Sequence, residues 1–154
     1  YLGYPDAYLT PSLELRKDIT REIRRHKPDV LITTAPFRTV GQNYGSSHPD
    51  HIAAGEAALS SVYPTARDRL TFPELLDEGF EPHKVREVWV MSREDADHYN
   101  EISEENMETA LKALAAHTSQ VPPEAIERVR AWKSNNGKQH NMKYAESFRT
   151  FTLR

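Results

Sequence analysis

Cysteine is missing from all 154 residues. Disulfides and thiolate metal sites are thereby excluded, so any metal would have to sit on histidine and carboxylate. No apolar run approaches the roughly 20 residues that a membrane-spanning helix requires. No signal peptide is visible either, and a cytoplasmic location is the expectation. Lysine and arginine total 20 against 23 aspartates and glutamates. Without a basic excess, no nucleic-acid partner is expected. Internal repeats and low-complexity tracts are absent. Hydrophobic residues are 38% of the chain, lean core material for what its length predicts to be one domain spanning 1–154.

What the chain does have is concentrated in residues 41–56, where a polar loop from Gly41 to Ser47 runs into His48-Pro49-Asp50-His51 and then an alanine-rich helix. Asp50 or His48 can cap that helix, and Pro49 suits its first position because it has no amide hydrogen to leave unpaired. Two imidazoles three residues apart at a helix start can face one space, and a carboxylate between them can fix the tautomer of one ring. The spacing alone fits two readings, a cap with two solvated histidines or part of a metal site. A metal site needs three or four ligands, and this stretch supplies at most two.

The surrounding pattern is that of an α/β protein. Ser12 to His26 reads as a helix with Leu13, Leu15, Ile19 and Ile23 in a stripe and Arg16, Lys17, Arg21, Arg24 and Arg25 on a solvated face. Pro28-Asp29 ends it, and Val30–Thr34 follows as a short buried strand. Helix, strand, loop and helix in that order predict a parallel sheet flanked by helices, whose sites lie beyond the carboxyl ends of the strands. The loop from Ala35 to Ser47 leaves the strand at that edge and delivers His48 and His51 there. Asp50 to Val62 is the next helix, with Gly55 accommodated by close packing on the sheet, and Tyr63-Pro64 stops it.

Residues 64–84 read as a surface insertion that could wall a pocket or form a subunit contact. Thr71 is the expected cap of a short helix that Gly79 closes, and His83 is expected to face solvent. Val85 to Met91 is a second strand, and Asp95 to Ile102 a polar connection anchored by Tyr99. Ser103 caps a helix whose Met107 fills core. His117 closes that helix. A further helix from Pro122 to Trp132 precedes a turn at Asn136-Gly137. Phe148 to Leu153 is a closing strand, and Glu146 beside it, if buried, needs a partner such as an arginine.

Taken together, Leu2-Gly3-Tyr4-Pro5-Asp6, the loop with His48-Pro49-Asp50-His51, His117-Thr118-Ser119-Gln120 and Tyr144-Ala145-Glu146-Ser147-Phe148-Arg149 resemble, in this order, the LmbE/PIG-L family of zinc-dependent de-N-acetylases. The resemblance implies a Rossmann-like, mainly parallel sheet flanked by helices. Members of that family carry an earlier histidine followed by Pro-Asp-Asp, and no such stretch occurs here. The expectation is therefore the C-terminal part of a longer protein, a single deacetylase domain lacking its N-terminal strands.

The same resemblance implies hydrolysis of the N-acetyl amide of an amino sugar or sugar conjugate, with release of acetate. It assigns His51 as a ligand of Zn2+ (or Fe2+), alongside the histidine and aspartate of the absent motif. His48, protonated, would stabilise the oxyanion and hand its proton to the leaving amine, and Asp50 would hold His48 in orientation. Tyr44 would be a further oxyanion donor and Asp6 would lie near substrate hydroxyls. A turn carboxylate bonding its own backbone is the other reading of Asp6, and a histidine suiting the helix dipole that of His117. With a single metal ligand, the 154 residues alone are expected to bind zinc weakly and to catalyse nothing. The rival classes are a non-catalytic α/β module and a different His/carboxylate metallohydrolase. A homo-oligomer is compatible with all three.

Overall fold

A computed structural model of the chain describes residues 1–38, 48–91 and 95–153. These residues form two compact units, Tyr1–Ser92 with Thr150–Arg154, and Arg93–Arg149. The α/β class is borne out. No helix among the described residues is long and apolar enough to cross a membrane.

In the first unit, helix α1 (Leu13–His26) begins where the Ser12 hydroxyl accepts a hydrogen bond from the Leu15 amide, and ends at Lys27 in the left-handed region. Of its expected apolar stripe Leu15 and Ile23 are buried and Ile19 packs partly buried against the core, whereas Leu13 stays exposed in the first turn. Strand β1 (Val30–Thr33) follows and pairs in parallel with β2 (Glu87–Met91), Leu31 opposite Val88 and Ile32 opposite Trp89. Alternation along the two strands sends Leu31, Val88 and Val90 into a core with Ile23, Val62, Ala66 and Val85. Between the strands runs α2 (Pro49–Ser60), as a parallel crossover requires. Beyond α2 a π-type turn (Ser61–Thr65) breaks at Tyr63, ahead of Pro64. The end of strand β4 (Ala145–Thr152) belongs to this unit from Thr150 on, and the Leu153 amide donates to the Arg86 carbonyl at 2.8 Å.

Three expectations for this unit are corrected. Arg24, placed by sequence on a solvated face, is 1% exposed. Its guanidinium donates to the carbonyls of Thr65, Ala66, Asp68 and Thr71 at 2.6–3.3 Å. Desolvation pulls its pKa down. Four backbone acceptors gathered on Nε and Nη2 offset the lost hydration of this cation, while its Nη1 is buried without a partner. Residues 65–71 are accordingly a strap wrapped on α1.

Thr71 does not cap the short helix α3 (Glu74–Asp77), which starts from Pro73 without a side-chain cap. Its amide and hydroxyl donate instead to the Asp68 carboxylate, which holds that acid below its usual range. His83 is partly buried, its Nε2 lying 2.8 Å from the Pro28 carbonyl, and does not face solvent.

In the second unit, α4 (Glu104–Ala115) is capped by Ser103 as expected. Met107 and Leu111 are buried against Tyr144, so Met107 is core filler. Residues His98–Glu101, read as part of a connection, form strand β3, antiparallel to β4 with Asn100 opposite Glu146. Its polar residues have little intrinsic strand preference, and pairing with β4 decides their conformation.

Helix α5 runs from Pro123 through Lys138 and passes Trp132 by six residues. Asn136 and Gly137 are therefore helical, not a turn. A Cβ on Gly137 would meet the Met142 carbonyl oxygen at 2.5 Å and the Tyr144 nitrogen at 2.9 Å, so glycine is placed where the returning chain crosses the helix. The partner of Glu146 is the buried Lys133, not an arginine.

Candidate active site at the start of helix α2

The site lies in the first unit. His48 stands at the N-cap of α2, with its Nδ1 accepting from the Asp50 amide at 3.3 Å and Pro49 at the first helical position. This bond leaves Nε2 as the ring's donor. One turn on, His51 presents its ring to the same space. The two ring centroids are 5.8 Å apart and the planes are tilted by 59°. Both side chains are exposed.

Close packing fixes the helix start at the carboxyl end of β1. Thr34, the residue after that strand, donates its hydroxyl to the His51 carbonyl. At Gly55, a Cβ would meet the Thr34 carbonyl oxygen at 2.5 Å and the Ala35 carbon and Pro36 nitrogen at 3.1 Å. The expected compensation for glycine inside this helix is therefore present. Gly55→Ala, which would add about 1 kcal/mol in an open helix, is expected instead to destabilise by about 1–3 kcal/mol through overpacking. Denaturant unfolding of the two proteins reads the sign directly.

The Asp50 carboxylate reaches backwards along the chain. Its Oδ2 accepts from the Ala7 amide at 2.7 Å and its Oδ1 from the Leu9 amide at 3.2 Å. Tyr4 ties the same segment to α1 by donating to Asp18 at 2.8 Å, and burial followed by that carboxylate pushes the phenol up to about 12. The turn holding Asp6, itself exposed, is thus brought to the helix that carries His48 and His51. Nothing in a spacing of 43 residues advertises this contact, and sequence reasoning missed it. Tyr44 lies outside the described residues. His117 belongs to the second unit, exposed just beyond α4, where its amide donates to the Leu114 carbonyl.

Catalytic zinc takes three protein ligands, commonly His nitrogen and carboxylate oxygen, and keeps a fourth position open. Among the described residues no three His, Asp or Glu side chains gather into such a set. The exposed imidazole of His51 fits as one donor of the right type, facing a second imidazole suited to a proton or a developing charge. These features define an α/β protein with a paired-imidazole mouth at the carboxyl edge of a parallel strand, the position where open sheets bind ligands.

Known proteins share this arrangement. The model of the PIG-L family, described as GlcNAc-PI de-N-acetylase, matches residues 1–62, which include the Tyr4–Asp6 turn, β1 and all of α2. Diacetylchitobiose deacetylase of Thermococcus kodakarensis is 27% identical over 152 residues, covering 96% of this chain and 54% of that protein. The solved structure of N,N'-diacetylchitobiose deacetylase from Pyrococcus horikoshii, complexed with its inhibitor MPG, superposes with a TM-score of 0.81 at 27% identity. The match covers 96% of this chain and 55% of that one. The conserved protein TT1542 from Thermus thermophilus shares the fold, with a TM-score of 0.75 at 24% identity over 95% of this chain and 62% of its own. The chain is thus similar to the PIG-L de-N-acetylases over residues 1–62 and to diacetylchitobiose deacetylases over 96% of its length. It spans about half the length of the curated relative it matches.

Proposed function

We propose that this chain carries the amide-facing half of a metal-dependent N-deacetylase site that hydrolyses the N-acetyl group of an amino sugar or sugar conjugate and releases acetate. The observation that carries the reading is the facing pair of His48 and His51 rings at the carboxyl end of β1. The resemblance to diacetylchitobiose deacetylases over 96% of the chain supports the substrate class.

An acetamide resists hydrolysis because water is a poor nucleophile and the tetrahedral oxyanion is costly. When bound, Zn2+ (or Fe2+) supplies Lewis acidity to the carbonyl and to water. His51 would hold it. The further donors implied by the family resemblance belong to a His-Pro-Asp-Asp stretch that these 154 residues do not contain.

His48 works on the other side of the amide. Its Nε2–H can donate to the carbonyl oxygen as charge builds there; delivery of a proton to the nitrogen as the C–N bond breaks would need the imidazolium, in which Nδ1 carries a proton and releases the Asp50 amide. The Asp50 carboxylate, expected to hold that ring, bonds the Ala7 and Leu9 amides instead, and the ring meets this residue at its main-chain N–H, which bonds Nδ1. Asp6 lies on the turn that would meet substrate hydroxyls, and Tyr44 is a further candidate donor to the oxyanion.

Acetate release from N-acetylglucosamine and from N,N'-diacetylchitobiose, measured with the protein expressed from its native gene, tests the reading. Release that a chelator abolishes and added zinc restores is the expected result. Turnover indifferent to chelator, or none on either substrate, would contradict it.

A further inference from the structure

The Asp50 carboxylate is committed to main-chain amides. Both of its oxygens accept hydrogen bonds, from Ala7 at 2.7 Å and from Leu9 at 3.2 Å. The His48 ring meets Asp50 through the main chain instead, Nδ1 accepting from the Asp50 amide. The residue between the two fastened amides is Tyr8, with 81% of its surface exposed. The residue before them is Asp6, also exposed. Ala7 stands in the left-handed region at φ 66, a conformation an alanine adopts only when its surroundings impose it. Here a charged acceptor gripping the turn on both sides of Tyr8 supplies that constraint.

We infer that Asp50 is a positioning residue whose carboxylate fastens the Pro5–Leu9 turn beside His48 and His51, so that the Asp6 carboxylate and the Tyr8 ring form the wall that binds the sugar. The inference rests on the proposed deacetylase reading. A pyranose offers hydroxyl donors and a face of C–H bonds, and an exposed carboxylate next to an exposed aromatic ring matches both. The clasp reverses the usual order of importance for an acid between two histidines. Its removal loosens substrate binding while the imidazole chemistry stays in place.

Asp50→Asn separates the alternatives. The amide keeps one acceptor oxygen but sets an NH2 against a backbone N–H, so one of the two bonds is lost. Three quantities are compared with the native protein: hydrogen exchange at the Ala7 and Leu9 amides, the kinetics of acetate release from N,N'-diacetylchitobiose, and metal content. Exchange at the amide left without its acceptor should quicken by at least about tenfold. KM should rise about tenfold or more, with kcat within about threefold and metal unchanged.

Tyr8→Ala should raise KM in the same way with exchange untouched, and Tyr8→Phe should restore it, because the ring alone provides the stacking face. Unaltered exchange in Asp50→Asn would overturn the clasp. A fall in kcat of about a hundredfold at constant KM would overturn the positioning role and return the carboxylate to His48. A native protein that releases no acetate would instead sink the deacetylase reading, leaving exchange at the two amides to judge the clasp by itself.

Discussion

His48→Ala, in the protein expressed from its native gene, is expected to retain its metal and to lose turnover by about a hundred- to a thousandfold. A donor aimed at developing charge stabilises the transition state and not the bound substrate, so the loss falls on kcat while KM stays near the native value. The geometry behind this is specific. His48 caps α2 through Nδ1, which turns Nε2 outward into the space that the His51 ring shares at 5.8 Å. The cap itself is dispensable for folding, because replacing a helix cap by alanine costs about 1 kcal/mol. Acetate release with a parallel thermal unfolding curve separates the chemical loss from that small structural one. Turnover within a fewfold of native would remove His48 from the mechanism.

His51→Ala is expected to go further and to lose both the metal and the reaction. A catalytic zinc held by three protein donors cannot keep its affinity with two, since each donor contributes directly to holding the ion. The His51 backbone is fixed independently of its ring, by the Thr34 hydroxyl on its carbonyl and by the close approach of Gly55 to residues 34–36. The variant should therefore fold, with the ring alone deleted. The two histidines, three residues apart and alike in chemistry, would then give opposite answers about metal.

The fold and the placement of the two histidines were readable in the sequence only where local chemistry decides structure. The Leu15, Ile19 and Ile23 positions of the α1 stripe, the Ser12 and Ser103 caps and the proline at the first position of α2 are short-range signals, and the structure keeps each of them. Placing His48 and His51 at a strand's carboxyl edge followed from α/β connectivity in the same way. What escaped the sequence depends on distant partners. Arg24 resembles its neighbours Arg21 and Arg25 along the chain, yet it is buried because carbonyls from residues 65–71 surround it. Asn136-Gly137 is a turn signal by composition, but α5 continues through it, and the glycine serves the close crossing of Met142–Tyr144 over the helix. His98–Glu101 becomes a strand because β4 offers it a ladder. The Asp50 clasp is of this kind too, a contact across 41 and 43 residues that no motif encodes.

Metal content measured side by side in native protein, His48→Ala and His51→Ala, each purified with zinc present and dialysed, is the most direct test of the division of labour between the two rings. One zinc per chain is expected in the native and His48→Ala proteins and a substoichiometric trace in His51→Ala. Full occupancy in His51→Ala, or equal loss in both variants, would contradict it.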